Sequence, residues 1–189
     1  MLVSVPLGFL QSTVQADAQT ATRWTVEPGS AQLEITGVAR GFALTASFER
    51  FQTEIAFDPA ALDATDVRVT IDTASWTSSL PAADEQVLGA DWLAVALAPT
   101  ARWVLADLAV VDDTRYRADG MLTIRDRSAP VAIALTLDID AAGTTLRAAG
   151  TASFDRRDFA LGATTAPEEG MAGYTVDIRF EFTARRTAP

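Results

Sequence analysis

Few residues in this chain can carry chemistry. Its 189 residues include no Cys, no His and no Lys, so all 15 basic side chains are arginine. That excludes thiol nucleophiles, zinc–thiolate and Fe–S sites, Schiff bases, and the commonest general base and pH switch. The remaining candidates are the acid pairs Asp112-Asp113 and Glu168-Glu169, the phenols of Tyr116 and Tyr174, and the arginines. Paired carboxylates can divide general-acid and general-base roles or hold calcium. Neighbours along a loop usually diverge, however, and no D-x-D-x-D-G spacing is present, so solvated turns are the plainer reading. G-x-S-x-G, P-loop and dinucleotide fingerprints are also missing.

Arg156 is the sharpest single residue. It continues the parity of Ala148, Gly150, Ala152 and Phe154, which directs it inward at the end of a strand. One reading has its forked donors meeting the polar head of a ligand at the mouth of the fold. The other is a structural ion pair with Asp158 or Asp84, the usual state of a buried arginine. Trp76, Trp92 and Trp103 present a similar choice between an apolar portal and core anchors.

These residues must be positioned by strands. In Tyr116–Asp140 the residues Tyr116, Ala118, Gly120, Leu122 and Ile124 share one face. Val131, Ile133, Leu135, Leu137 and Ile139 share a face of the following strand. Period-2 alternation of this kind marks strands with one buried face. Comparable runs occur at Trp24–Glu27, Leu33–Ile35, Val67–Asp72, Thr144–Asp155 and, most cleanly, Tyr174–Thr183. Between Thr45 and Phe57 the phase shifts, which predicts a β-bulge near Glu49-Arg50. Gly37–Leu44 reads as a connection, and Ala60–Ala64 as a turn or helical turn. Thr100–Val111 reads as a strand of unassigned phase, because both faces are apolar. Residues 78–96 break the pattern and suit a short helical insertion.

About eight antiparallel strands predict an all-β fold, a single up-and-down barrel, with a two-sheet sandwich as the alternative. An eight-stranded barrel can be filled by side chains or can hold one small ligand. Small inward residues (Ala118, Gly120, Ala148, Gly150, Ala152) favour a cavity, whereas Phe154, Phe180 and Phe182 could fill it.

Composition narrows the partners. The formal charge is −10, from 25 acidic and 15 basic residues, with 49% apolar residues. No basic stripe is present, so neither nucleic acid nor an anionic membrane surface is an expected partner. Residues 1–22 read as a leader or a disordered N-terminus. Apolar Leu2–Leu10 precedes Ala16-Asp17-Ala18, a signal-cleavage pattern, although a basic start is lacking and Pro6 and Gly8 interrupt the run. It is too short to span a bilayer. The barrel domain is expected over residues 23–187.

Several blocks resemble the YceI-like family of bacterial β-barrel proteins. Gly120–Arg125 with Pro130-Val131 is similar to its G-x-L-T-I-R-G-x-T-x-P-V. Phe154–Gly162 is similar to I-N-R-x-D-F-G-x-G, and Asp84–Trp103 to D-x-x-L-x-S-x-D-F-F-D-x-x-x-x-P-x-A-x-F. Trp24–Pro28 and Phe57-Asp58-Pro59 also match. The resemblance implies a lipocalin-like barrel that binds a polyisoprenoid or quinone-like lipid, typically in the periplasm. It also covers Arg156. Asp126 and Ala160 stand where the family carries glycine, and the position near Thr36 lacks a frequent His. Asp126 is expected to tolerate the turn, while Ala160 is expected to alter its loop.

The reading is therefore a non-catalytic, periplasmic or secreted carrier of a long apolar lipid. It needs no cofactor or metal, does not span a membrane, and is compatible with a homodimer. The residues expected to face the ligand are Phe48, Ile55, Val69, Ile71, Trp76, Leu88, Trp92, Trp103, Gly120, Leu122, Ala148, Gly150, Phe154, Arg156 and Phe180. The alternatives are a small barrel enzyme using carboxylates with Tyr116 or Tyr174, and an accessory module for a quinone-handling membrane partner.

Overall fold

The computed structural model describes residues 21–187, and the expected leader or disordered N-terminus, residues 1–22, lies outside them apart from residues 21 and 22. The strands are β1 (Arg23–Val26), β2 (Gln32–Ala39), β3 (Phe42–Phe48), β4 (Phe51–Ala56), β5 (Asp66–Asp72), β6 (Trp76–Ser78), β7 (Thr100–Val110), β8 (Arg115–Ile124), β9 (Arg127–Ile139), β10 (Thr145–Asp155) and β11 (Thr175–Arg186). A single short helix, α1 (Pro81–Leu88), follows β6. All pairings are antiparallel.

These pieces make eight staves of a closed barrel. β1 and β2 lie end to end along β11, which pairs with β1 through Ala184–Arg186 and with β2 through Asp177–Glu181. β3 and β4 form the next stave, and β6 with β5 the third. β7, β8, β9 and β10 complete the circuit back to β11. Closure leaves no long free edge, which a sandwich could not achieve.

Two local expectations are corrected. The phase change at Glu49-Arg50 is a division between β3 and β4, which pair with different partners, rather than a bulge in one strand. Gly37–Leu44 is a tight hairpin, with Arg40 and Gly41 at φ 50° and 83°; two positive φ values are what a type I′ turn requires. A bulge does occur in β7, between Leu105 and Asp107. It carries Trp103, Leu105, Leu108 and Val110 onto one face and accounts for the unreadable phase of that strand.

Each end of the barrel is sealed by packing. At the upper end Trp24, Ile55, Phe57, Tyr116, Leu146 and Ala184 form one cluster. The Trp24 indole donates to the Phe57 carbonyl at 2.9 Å, and the Phe57 and Tyr116 rings meet edge to face. At the lower end the 156–174 loop and the segment after α1 fold across the opening, where Leu93, Phe159 and Leu161 are buried.

Arg156 organises this lower cap. It is only 2% exposed, and its guanidinium donates to four backbone carbonyls: Gly173 (3.0 Å), Leu161 (2.6 Å), Ala166 (2.5 Å) and Ala172 (3.0 Å). The Trp92 and Tyr174 rings flank it at 5.5 and 5.4 Å. Burial presses its pKa below the ordinary value, with the neighbouring Tyr174 and Asp155 acting in the other direction. The expected ion pair with Asp158 or Asp84 is not formed. Asp84 instead accepts from the Trp76 indole at 2.8 Å and the Ser78 amide at 3.3 Å. Asp91 ties the same cap through the Thr164 and Thr165 amides and the Thr165 hydroxyl. Burial would raise its carboxyl pKa, but these donors prevail and hold it below the usual value.

Of the three departures from the resembled pattern, the two at glycine positions resolve differently. In the β8–β9 turn the left-handed residue is Arg125 (φ 58°), not Asp126, and Arg125 is held by a bond to the Trp92 carbonyl at 3.1 Å. Ala160 adopts the left-handed conformation despite its Cβ (φ 52°, ψ 35°).

Arg156→Met should lower the unfolding free energy by at least about 3 kcal/mol, because four buried carbonyls lose their donors and each unpaired group costs about 1–3 kcal/mol. Urea denaturation measures this, and wild-type stability would contradict the capping role. Ala160→Gly should raise stability by about 0.5–1 kcal/mol, since relief of left-handed strain exceeds the added chain entropy. An unchanged or lowered urea midpoint would argue against strain at this residue.

Candidate ligand-binding site

Between the two sealed ends the barrel is hollow. The first sign is in the burial pattern. Val67, Val69, Ile71, Ile133, Leu135 and Ile178 point inward by strand parity and pairing, yet are only half-buried. Inward apolar side chains keep accessible surface only when they border empty space.

The cavity measures about 150 Å³, counted as the space a water molecule's centre can occupy. With about 10–15 Å³ of such space per water and about 30 Å³ of liquid volume per water, this corresponds to roughly 300–450 Å³ of liquid. That is at the small end of ligand pockets, which span about 300–1,000 Å³. The lining is apolar apart from Gln32, Thr53 and Thr65, and no charged residue contributes to it.

Packing of large residues against glycine keeps this space open. Phe180 lies against Gly150, its direct cross-strand partner, so closely that a Cβ there would sit 2.5 Å from the ring. Trp103 lies against Gly120 in the same way, at 2.3 Å, and its indole donates to the Val131 carbonyl at 3.2 Å. Phe180 also stacks on Phe182, with ring centroids 6.3 Å apart. The large inward residues thus lie along the wall instead of plugging the middle.

Of the residues anticipated from sequence, Ile55, Val69, Ile71, Trp103, Leu122 and Phe180 line the cavity. Gly120 and Gly150 form the floor beneath its aromatic rings, and Ala148 pairs with Phe182 in the wall. The others sit at the lower end. Phe48 and Trp76 meet edge to face at 5.4 Å, Phe154 and Phe159 do so at 5.2 Å, Leu88 ends α1, and Trp92 and Arg156 belong to the cap. Trp103 is the only one of the three tryptophans considered for a portal that reaches the cavity.

Sequence reading passed over two polar residues inside. Thr53 and Thr65 share the inward parity of Ile55 and Val67, but a lone threonine in an apolar run gives no signal. Thr65 Oγ1 is buried with no hydrogen-bond partner, the single such side-chain atom among the described residues.

Little in the cavity suits proton transfer. Burial pushes the Tyr116 phenol above its ordinary pKa, the wrong direction for a base. Asp112 is bonded to Arg115, whose hydrogen bond holds its carboxyl below the usual range, in an exposed turn. Glu168 and Glu169 are likewise exposed. No cluster of three potential metal ligands occurs, and no helix is long and apolar enough to cross a membrane, among the described residues.

Comparison with solved structures places this geometry among known barrels. BcnA from Burkholderia cenocepacia superposes with a TM-score of 0.78 at 24% identity, covering 84% of this chain and 99% of that one. A Campylobacter jejuni YCEI protein gives 0.68 at 16% identity, covering 97% and 94%. A polyisoprenoid binding domain from Saccharophagus degradans gives 0.67 at 12% identity, covering 89% and 100%. At these identities the likeness is one of fold. No curated protein sequence matches the chain. The YceI-like domain model, however, matches residues 24–184, and on that match the chain belongs to the YceI-like family.

Proposed function

We propose that the protein is a non-catalytic carrier that shelters an uncharged apolar lipid, of polyisoprenoid or quinone-like type, inside the barrel. The observation that carries this reading is the hollow itself, apolar but for Gln32, Thr53 and Thr65 and without a charged residue. A phosphate or carboxylate drawn into such a lining would lose its hydration with no cation to replace it. A hydrocarbon gains about 25 cal/mol for each Å² it removes from water, offset in part by lost freedom. Ile55, Val69, Ile71, Trp103, Leu122 and Phe180 hold the chain. Thr65, with its unpartnered hydroxyl, meets a neutral oxygen such as an alcohol or a quinone carbonyl. The Saccharophagus relative's description as a polyisoprenoid binding domain supports the ligand class. The leader-like start of the sequence supports export to the periplasm. The modest volume suits a short isoprenoid, or one segment of a longer one.

Native mass spectrometry of protein purified without detergent should show a bound neutral lipid that organic solvent extracts; an empty protein that also takes up no added isoprenoid alcohol would overturn the reading. Val69→Trp should occupy the hollow and weaken binding of an isoprenoid alcohol at least ten-fold while leaving the fold intact by circular dichroism. Undiminished binding would place the ligand elsewhere. Thr65→Val should stabilise the empty protein by about 1–3 kcal/mol, since an unpaired buried hydroxyl is removed. It should also weaken an isoprenoid alcohol by about 0.5–1.5 kcal/mol without affecting a pure hydrocarbon of the same length. Equal effects on both ligands would exclude the Thr65 contact.

A further inference from the structure

The wall of the barrel is not paired all the way round. β1 meets β4 only at Arg23↔Ala56 and Trp24↔Ile55. β2 meets β3 from Glu34↔Ser47 onward. Between these two ladders lie Thr25–Leu33 on one stave and Phe48–Glu54 on the next, with no strand pairing across the interval. Beyond the ends of the two ladders, between Thr25–Gln32 and Glu49–Glu54, no side-chain, turn or loop hydrogen bond crosses it among the described residues. The register explains why. Ten residues separate Trp24 from Glu34 on one side, while eight separate Ser47 from Ile55 on the other. The excess is taken up in the turn after β1. This turn folds back onto β11, where Ser30 Oγ donates to the Thr183 carbonyl at 2.9 Å and the Glu27 amide donates to the same oxygen at 2.9 Å. The facing edge of β4, Phe51–Glu54, is left paired on its β5 side alone.

The cavity reaches this interval. Leu33 and Phe51 on its two sides line the hollow, as do Thr53 and Gln32, and Gln32 is also exposed at the outer surface. A residue that borders both spaces marks where they approach each other. The barrel ends offer no comparable route: the upper end is filled by Trp24, Phe57, Tyr116, Leu146 and Ala184, each 6% exposed or less, and the lower by Arg156, Phe159 and Leu161. Parting the staves along a ladder breaks inter-strand hydrogen bonds, whereas between Thr25–Gln32 and Glu49–Glu54 no ladder has to break.

We propose that this lateral seam, between the β1–β2 turn and the β3–β4 junction, is the portal through which an uncharged lipid enters and leaves the barrel. The proposal rests on the carrier reading and adds its route. The polar, unpaired strand edges stay wet when the seam is empty, and they offer both donors and acceptors to a neutral oxygen passing between them.

The absence of cysteine from the chain allows a clean test. Ala31→Cys and Gln52→Cys place one thiol on each rim, at a half-buried and an exposed position outside the cavity lining, to be joined by a short cleavable bis-maleimide. A control crosslink joins Thr123→Cys to Ser128→Cys across an intact ladder. Uptake and release of farnesol are followed through tryptophan fluorescence. Joining the seam should slow both rates at least ten-fold, leave the equilibrium affinity unchanged, and be reversed by cleavage, while the control crosslink changes neither rate. Unchanged rates in the seam-linked protein would overturn the portal and leave the carrier standing. Failure of the wild type to take up farnesol or any longer isoprenoid alcohol would overturn the carrier reading, and the portal with it.

Discussion

The structure depends on where its inward-facing bulk is stored. An eight-stranded barrel has an interior that side chains can fill or that can hold one small ligand, so a hollow survives only if the large residues are kept against the wall. Gly150 and Gly120 supply the recesses that make this feasible. Phe180 and Trp103 lie where a Cβ would stand, at separations of 2.5 and 2.3 Å that no alanine could accept without displacement. The glycines weaken their strands slightly, and the return is an aromatic lining in place of an aromatic plug.

A hollow barrel then needs its ends closed by other means. The upper end is closed by ordinary apolar packing around Trp24 and Phe57. The lower end is closed by a loop, and a buried loop carries backbone carbonyls that must find donors. Arg156 supplies four of them at once, a task that suits a planar fork of donors and not the point charge of a lysine. Trp92 and Tyr174 stack on either side of that fork. The charge thus serves the loop, and the cavity is left without a cation. That division decides the kind of ligand the interior suits.

The alternating strands were legible in the sequence because period-2 patterning survives wherever one face is buried; β8, β9 and β11 are plain cases. Legibility failed where the backbone changes partners. Nothing in Phe48–Phe51 states that β3 and β4 join different neighbours, and one bulged residue in β7 scrambled a strand apolar on both sides. The β2–β3 hairpin was hidden because a left-handed Arg40 does not look like a turn residue. Parity placed Arg156 inside correctly, but its partners are carbonyls of a loop whose path only the fold determines. Carbonyls have no sequence signature, so an ion pair was the nearest available guess. Thr65 was missed for a similar reason: an orphaned hydroxyl becomes visible only when its neighbours are known.

The account stands on the interior receiving a hydrocarbon chain. Crystals grown with a terminally brominated isoprenoid alcohol test this most directly, because the bromine can be located by its anomalous scattering. The account predicts a bromine peak inside the barrel, among Val69, Leu122 and Phe180. Peaks confined to the outer surface, with the interior unchanged, would contradict it.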